Sequence, residues 1–374
     1  AGADVTFIAR GAHLAAMQRD GLRITGGRGD THLVPTKATD NPASIGPVDL
    51  VMFCVKLWDV EAAGEAIRPL IGPSTAVLPL QNGIDASERL IPILGAQAVM
   101  GGVAQISATI DAPGVIRQTG TFMRLAFGEL DGSISARGKN FLEWCQRAGF
   151  DATMSDRILT ELWLKFIILA TNSGMTALTR RPLGELRDDP DIAPYFRAGF
   201  EEVISLARAK GVWLPDDVLE RSMKFTAGAP AGMRASMAVD LIRGNRIELP
   251  WLSGKVVALG RALGVPTPTH AMINAALKPY AMGAPQDEPG FCARQCSAIW
   301  PMVAGQIPPR SMMPSSMAVK ARMRCGTPIS HGVAGTTRMR PLPVSCASRS
   351  SVSCAARMEF VKSSVAKCCW CSMR

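Results

Sequence analysis

The sequence predicts an α/β domain followed by an all-α domain, and three observations carry that prediction. Through residues 1–155, short apolar stretches of strand length alternate with helical patterns, an order that implies βαβ units, right-handed crossovers and a parallel sheet. From residue 156 the strand patterns stop, and helical patterns separated by Gly and Pro run to residue 284. Beyond that, residues 285–374 keep neither a 3.6 nor a 2 period and are rich in Ser, Met, Cys, Arg and Pro. A chain of 374 residues is long enough for two such cores.

Each element follows from local pattern. Residues 1–10, AGADVTFIAR, read as the end of a helix, a turn over 2–4 and a strand over 5–9 closing on Arg10. Gly26-Gly27-Arg28-Gly29 reads as a turn. Strands are expected over 50–55 and 76–80, with a helix over 61–70 between them and another over 84–94. Residues 99–106 and 115–128 read as further strands, the second alternating as an antiparallel partner does. An amphipathic helix over 135–148 and a short segment at 152–154 close the domain. In the second domain, helices are expected over 156–178, 194–210, 214–225, 233–241 and 251–263. Gly264-Val265-Pro266-Thr267-Pro268 stops the last of these, and a short helix over 270–277 follows.

Composition narrows the function classes. With 47% apolar and 19% charged residues, the chain has the balance of a globular protein. No apolar run approaches a membrane span and no signal peptide opens it, so no membrane partner is expected. The net charge of +10 invites a nucleic-acid reading. Of the 41 basic and 31 acidic residues, 12 and one lie from Gly290 onward, so that segment carries +11 and the rest −1. The body is therefore not a basic-surface binder, and nucleic acid is a candidate partner for the tail alone. Cys54 and Cys145 are the only cysteines before Cys292, which argues for a reducing, cytoplasmic setting. For the tail, a metal site on the terminal CxxC has no second CxxC and only His331 to complete it. A DNA-binding arm fits the charge, and a non-native segment such as a shifted reading frame fits the composition better.

Residues 161–187, ELWLKFIILATNSGMTALTRRPLGELR, organise the rest. From Leu162 to Leu169 the segment is apolar on every helical face except at Lys165, and such a helix is buried all round. A buried lysine has its pKa lowered toward the range of proton transfer near neutrality. The competing reading is an i,i+4 pair with Glu161, or a stem carrying its charge to water.

Strand ends supply the other candidates. In an open α/β sheet, ligands bind at the carboxyl ends of the strands. Arg10 closes its strand where an adenosine ribose is met, and arginine there accommodates the 2′-phosphate of NADP. Lys56 ends the strand over 50–55, and Gln81-Asn82-Gly83 follows the next; Asn82 is a candidate for a carboxamide, ribose or substrate, or is a plain turn residue. Ser107, just past the strand over 99–106, is placed with the cofactor-binding residues. Ser236 and Asp240 are i,i+4 neighbours, and Glu248 is positioned to pair with a buried lysine or to bind ribose hydroxyls, unless it lies on a solvated face. The G-x-G-x-x-G fingerprint is not found in the sequence, so the expectation is a Rossmann-type domain whose first strand and Gly-rich loop lie upstream of Ala1.

Arg10, Val55-Lys56, Gln81-Asn82-Gly83, Trp163-x-Lys165, Thr176-Ala177-Leu178, Gly184-Glu185-Leu186, Ser236-Met237 and Glu248 occur in the order and spacing of one family. Over residues 1–283 the chain resembles the ketopantoate reductases (2-dehydropantoate 2-reductases). The resemblance implies an N-terminal Rossmann domain, a helical C-terminal domain and an active site between them. It implies that Lys165 donates the proton to the ketone oxygen as NADPH delivers hydride to the carbon. It also implies that Lys56, Asn82 and Glu248 contact the cofactor or orient the reacting groups, with Glu248 catalytic alongside Lys165, and that Ser236 and Asn82 touch substrate. Where the best-known members place asparagines for substrate, this sequence has Leu169, Leu183 and Met233.

The expected function is thus cytoplasmic, NADPH-dependent reduction of a small 2-oxoacid, ketopantoate to pantoate, in pantothenate and coenzyme A synthesis, with no metal; a homodimer stays open as the oligomeric state. One rival is another 2-oxoacid or 3-hydroxyacid dehydrogenase of the same two-domain plan. The other is an inactive truncated product whose basic tail binds nucleic acid or aggregates.

Overall fold

The structure is a computed structural model that describes residues 2–27, 29–284 and 370–373, all within one compact unit. Its first sheet holds β1 (Val5–Ile8), β4 (Lys37–Thr39), β5 (Leu50–Phe53), β6 (Ala76–Pro79) and β10 (Trp370–Met373), in the order β4-β1-β10-β5-β6. The pairs β1·β4 and β5·β6 are parallel. Alternation along β5 and β6 decides their faces. Val51, Phe53 and Val77 pack on one side with α2 (Val60–Ala66) and α3 (Ala86–Leu94); Leu50, Met52 and Leu78 pack on the other with Phe127, Phe141 and Cys145. Both faces are apolar, as a parallel sheet covered on both sides requires.

The sheet is nevertheless mixed. β10 lies antiparallel between β1 and β5, Ile8 opposite Trp370, Val5 and Leu50 both opposite Met373. Periodicity gave no sign of a strand in the tail. Its place is set by the unpaired backbone groups that β1 and β5 turn toward one another, which cost free energy when buried. The remainder of the tail, with His331, Cys368 and the tail's metal-site and DNA-arm readings, lies outside the described residues.

A second sheet, β3-β2-β8-β7 with β9 beside β8, is built on the long hairpin of β7 (Gly101–Ala112) and β8 (Val115–Gly128). β2 (Leu22–Thr25) and β3 (Thr31–Leu33) are strands the sequence did not announce, and β9 is Ala152–Met154. The expected helix end before β1 is not seen over residues 2–4, which are irregular, and Ala1 is outside the described residues. The helix expected over 61–70 breaks into α2 and a 3-10 turn, Arg68–Leu70, because Pro69 lacks the N–H an α-helix needs. Between β1 and β2 runs α1 (Gly11–Asp20), and α4 is Ala136–Arg147.

The all-α part surrounds α5 (Ile158–Thr179), 22 residues long. Around it stand α6 (Leu183–Arg187), α7 (Ala193–Ala209), α8 (Val218–Gly228), α9 (Ser236–Ile242), α10 (Ser253–Leu263) and α11 (Pro268–Leu277). Trp163, Phe166, Ile167 and Ala170 of α5 enter one core with Phe196, Phe200, Val203, Met237 and Val256. Helices approach closely only where a side chain is missing: a Cβ on Gly199 would stand 2.8 Å from Thr171 Cγ2, and one on Gly174 2.9 Å from Ile273. Among the described residues, no helix is long and apolar enough to cross a membrane.

Candidate active site

The amino-terminal half of α5 lies against β7 and β8, so Lys165 faces the sheet rather than its own helix. Its Nζ donates to the Ala104 carbonyl of β7 at 2.9 Å, and no Glu161–Lys165 ion pair forms among the described residues. Burial pushes its pKa down to about 8, opposed by the negative charge of Glu248. An ammonium has three donors, and Ala104 is its one hydrogen-bond acceptor among the described residues.

Glu248 is buried, and the reading that sets it on a solvated face is corrected. Its Oε1 accepts from the Leu57 N–H at 3.3 Å, capping the 3-10 turn Leu57–Asp59 that follows β5. Lys56, one residue earlier, donates to Asp240 Oδ2 of α9 at 3.2 Å. The end of β5 is fixed from the other side by Gln81, whose Nε2 donates to the carbonyls of Phe53 at 2.9 Å and Val55 at 3.1 Å. Asn82 follows on a half-buried turn completed by Gly83, whose φ of 104° favours glycine. The Asn82 side chain makes no hydrogen bond among the described residues. Ser236 is exposed at the first turn of α9, four residues before Asp240.

The structure thus gathers Lys56 and Asp240 through a direct contact, Glu248 through the N–H of Leu57 next to Lys56, and Lys165 through the field of Glu248. Arg10 stands apart, exposed at the end of β1 as the residue preceding α1. Ser107 is not drawn in: it is exposed on the hairpin, its hydroxyl 2.6 Å from Thr119 Oγ1, and nothing among the described residues ties it to the cluster. Sequence reasoning missed the Ala104 carbonyl and the aromatic pair Trp58 and Trp251, whose rings are 6.3 Å apart beside Lys56. Trp58 two residues after Lys56, and Trp251 three after Glu248, were the available signal. A cavity of about 170 Å³ lies elsewhere, between Arg187, Phe196, Met223 and Thr226, and contains none of these residues.

The donor set fits the two ends of a dinucleotide: an exposed guanidinium at Arg10, with no partner among the described residues, for a phosphorylated ribose, and the Asn82 amide with Lys56 and Glu248 for the reactive end. The middle fits less well. β10 enters the sheet beside Ile8, at the carboxyl ends of β1 and β5, and runs antiparallel to both, so among the described residues that slot holds no strand whose carboxyl end faces the pyrophosphate side.

Comparison with known proteins agrees with the two-domain fold. Residues 1–132 match the family model for ketopantoate reductase PanE/ApbA, and residues 157–281 match that of its C-terminal domain. A 2-dehydropantoate 2-reductase from Mesorhizobium japonicum is 30% identical over 299 residues, covering 75% of this chain and 90% of that protein. The crystal structure of a PanE/ApbA family ketopantoate reductase from Ralstonia eutropha superposes with a TM-score of 0.67 at 31% identity, over 73% of this chain and 89% of that one. A D-mandelate dehydrogenase solved with NADH and anilino(oxo)acetate shares the fold, with a TM-score of 0.67 at 20% identity over 73% of this chain and 89% of that one. This chain, a Rossmann-type domain joined to a helical C-terminal domain, belongs to the ketopantoate reductase family of oxidoreductases acting on CH–OH groups.

Proposed function

We propose that the chain is an NADPH-dependent reductase of 2-dehydropantoate, forming pantoate for pantothenate and coenzyme A synthesis in the cytoplasm. In this reading residues 1–155 bind the cofactor, residues 156–284 bind substrate and complete the site, and the tail from 285 has no part in the chemistry. The observation that carries it is Lys165: an ammonium desolvated toward a pKa of about 8, with Glu248 nearby to hold it protonated. Such a group stabilises a developing alkoxide and then protonates it. Bound NADPH would supply the hydride. Arg10 holds the 2′-phosphate, Lys56, Asn82 and Glu248 orient the reactive end, and Ser236 with Asn82 meets the substrate.

The test is steady-state reduction of 2-dehydropantoate together with direct NADPH titration. Lys165→Ala lowers kcat by roughly 10²- to 10⁴-fold, the usual range for a lost general acid, and leaves the NADPH Kd within a few-fold; unchanged turnover removes the catalytic role. Arg10→Ala weakens NADPH far more than NADH, and equal losses remove the 2′-phosphate role.

One observation favours a second reading. Leu169 lies one turn after Lys165 on α5, and Leu183 and Met233 are joined by a 2.8 Å backbone hydrogen bond from the Leu183 N–H. At positions where the family resemblance implies substrate contacts, apolar side chains do not reward the hydroxyl of ketopantoate, so a 2-oxoacid with an apolar substituent is the alternative. Higher kcat/KM for such an acid than for ketopantoate decides for it.

A further inference from the structure

Three consecutive residues after β5 are clasped by the helical domain. Lys56 pairs with Asp240, the Leu57 N–H with Glu248, and Trp58 with the guanidinium of Arg246, 4.7 Å from the ring centroid. Arg246 also stands 5.8 Å from the Trp251 ring. Its backbone is held by its neighbour: Ile247 is fully buried and donates its N–H to the Ala281 carbonyl at 3.1 Å. Arg246 and Glu248, on either side of Ile247, both reach the segment after β5.

Among the described residues, each cation named at this junction has an acidic neighbour except Arg246. Lys56 has Asp240, Arg89 has Glu61 and Asp85, Lys255 has Asp85, and Lys165 lies in the field of Glu248. Arg246 is half-buried and has no acidic partner and no hydrogen-bond acceptor among the described residues. A guanidinium stacked on an indole keeps its N–H fork in plane and unspent. That is the arrangement for bidentate recognition of a carboxylate or phosphate.

We propose that Arg246, stacked on Trp58, is an anion-recognition residue of the crevice, taking the carboxylate of the oxoacid or a phosphate of the dinucleotide. The proposal deepens the reading of the site as an oxoacid reductase and rests on it only for the identity of the anion. Neither family resemblance nor strand-end position points to this residue.

The experiment is equilibrium titration, read by quenching of tryptophan fluorescence, of the full chain and its Arg246→Ala and Arg246→Lys variants. The probes are 2-dehydropantoate, its uncharged methyl ester, NADPH and inorganic phosphate. If the carboxylate is the target, Arg246→Ala weakens the acid by roughly 10- to 100-fold, the worth of a hydrogen bond to a charged group, and leaves the ester unchanged. If a phosphate is the target, NADPH takes that loss and both oxoacid probes are spared. Arg246→Lys recovers only part, because an ammonium has no fork. A merely structural arginine would weaken acid and ester alike, and that outcome overturns the proposal, as does wild-type affinity for every probe in Arg246→Ala. Inorganic phosphate separates the two hypotheses. Quenching by phosphate that Arg246→Ala abolishes supports the subsite even if neither 2-dehydropantoate nor NADPH binds; no phosphate response in that case ends both.

Discussion

Two basic side chains meet at α5, Lys165 half-buried on the helix itself and His270 buried against it, and their fates are opposite. Lys165 sits in the amino-terminal half of α5, with one carbonyl acceptor and the charge of Glu248 in its field; its pKa is lowered to about 8. His270 is fully buried against Thr171, six residues further along α5, and its pKa is driven down to about 4 by burial. Its two ring nitrogens are occupied, Nδ1 with Ser253 Oγ at 3.1 Å and Nε2 with the Gly199 carbonyl at 3.3 Å. Glu202 spends its carboxylate on the backbone N–H groups of Thr269 and His270 at the start of α11. Burial alone therefore neutralises a base and makes it structural. Burial beside a carboxylate, with donors left over, keeps it charged near neutrality and free to act.

Removing the lysine's charge gives the widest separation between the two. Because its folded pKa lies below the unfolded value of 10.5, the charged form strains the fold at every pH below about 8. Lys165→Met should raise stability at pH 7 by roughly 2–3 kcal/mol, the gap closing as pH rises from 8 toward 10.5, while reduction is lost. Urea unfolding midpoints across that range check it, and a Met variant less stable at pH 7 would mean that the ammonium is held by more than Ala104. The activity limb follows from the same group. With Lys165 as the proposed proton donor, the rate should fall as pH rises through about 8. Glu248→Gln should move that fall to lower pH by removing the charge that opposes desolvation.

For His270 the sign is the same but the window is acid. A histidine whose pKa drops from 6.5 unfolded to about 4 folded contributes stability above pH 6.5 that is lost as pH falls toward 4. The loss should reach about 3 kcal/mol. His270→Gln should flatten the unfolding midpoint between pH 6.5 and 4 and leave the limb near pH 8 in place. A shift of both limbs would mean that the two buried bases are coupled along α5.

How much of this was legible depended on whether the cause was local. The apolar run around Lys165 announced a largely buried helix, and strand patterns announced the segments that carry Arg10, Lys56 and Asn82, because period and position are properties of a few neighbouring residues. The partner of Lys165 was not legible: Glu161 is its neighbour in sequence, yet the carbonyl it meets is Ala104, 61 residues away. β3 is exposed at all three positions and has no buried face to leave a pattern. β10 joins the sheet through backbone pairing with β1 and β5, which composition does not encode. Nothing in the sequence around Arg246 points to Trp58, in the other domain, whose ring its guanidinium meets.

The smallest expected effect serves as the control on the comparison. α5 ends on Arg180, the only non-glycine residue with positive φ among those described, at 58°. A side chain there costs about 1 kcal/mol that glycine avoids. Its guanidinium lies 5.4 Å from the Tyr280 ring, an exposed contact worth roughly 0.5–1 kcal/mol, so the two effects nearly offset. Arg180→Gly should therefore raise the unfolding free energy by at most about 0.5 kcal/mol. Because it alters the end of α5 without touching either buried base, the limb near pH 8 and the loss below pH 6.5 should both stay where they are. If either moves, the pKa values are set by the packing of the whole helix, and the contrast between Lys165 and His270 is not one of local partners.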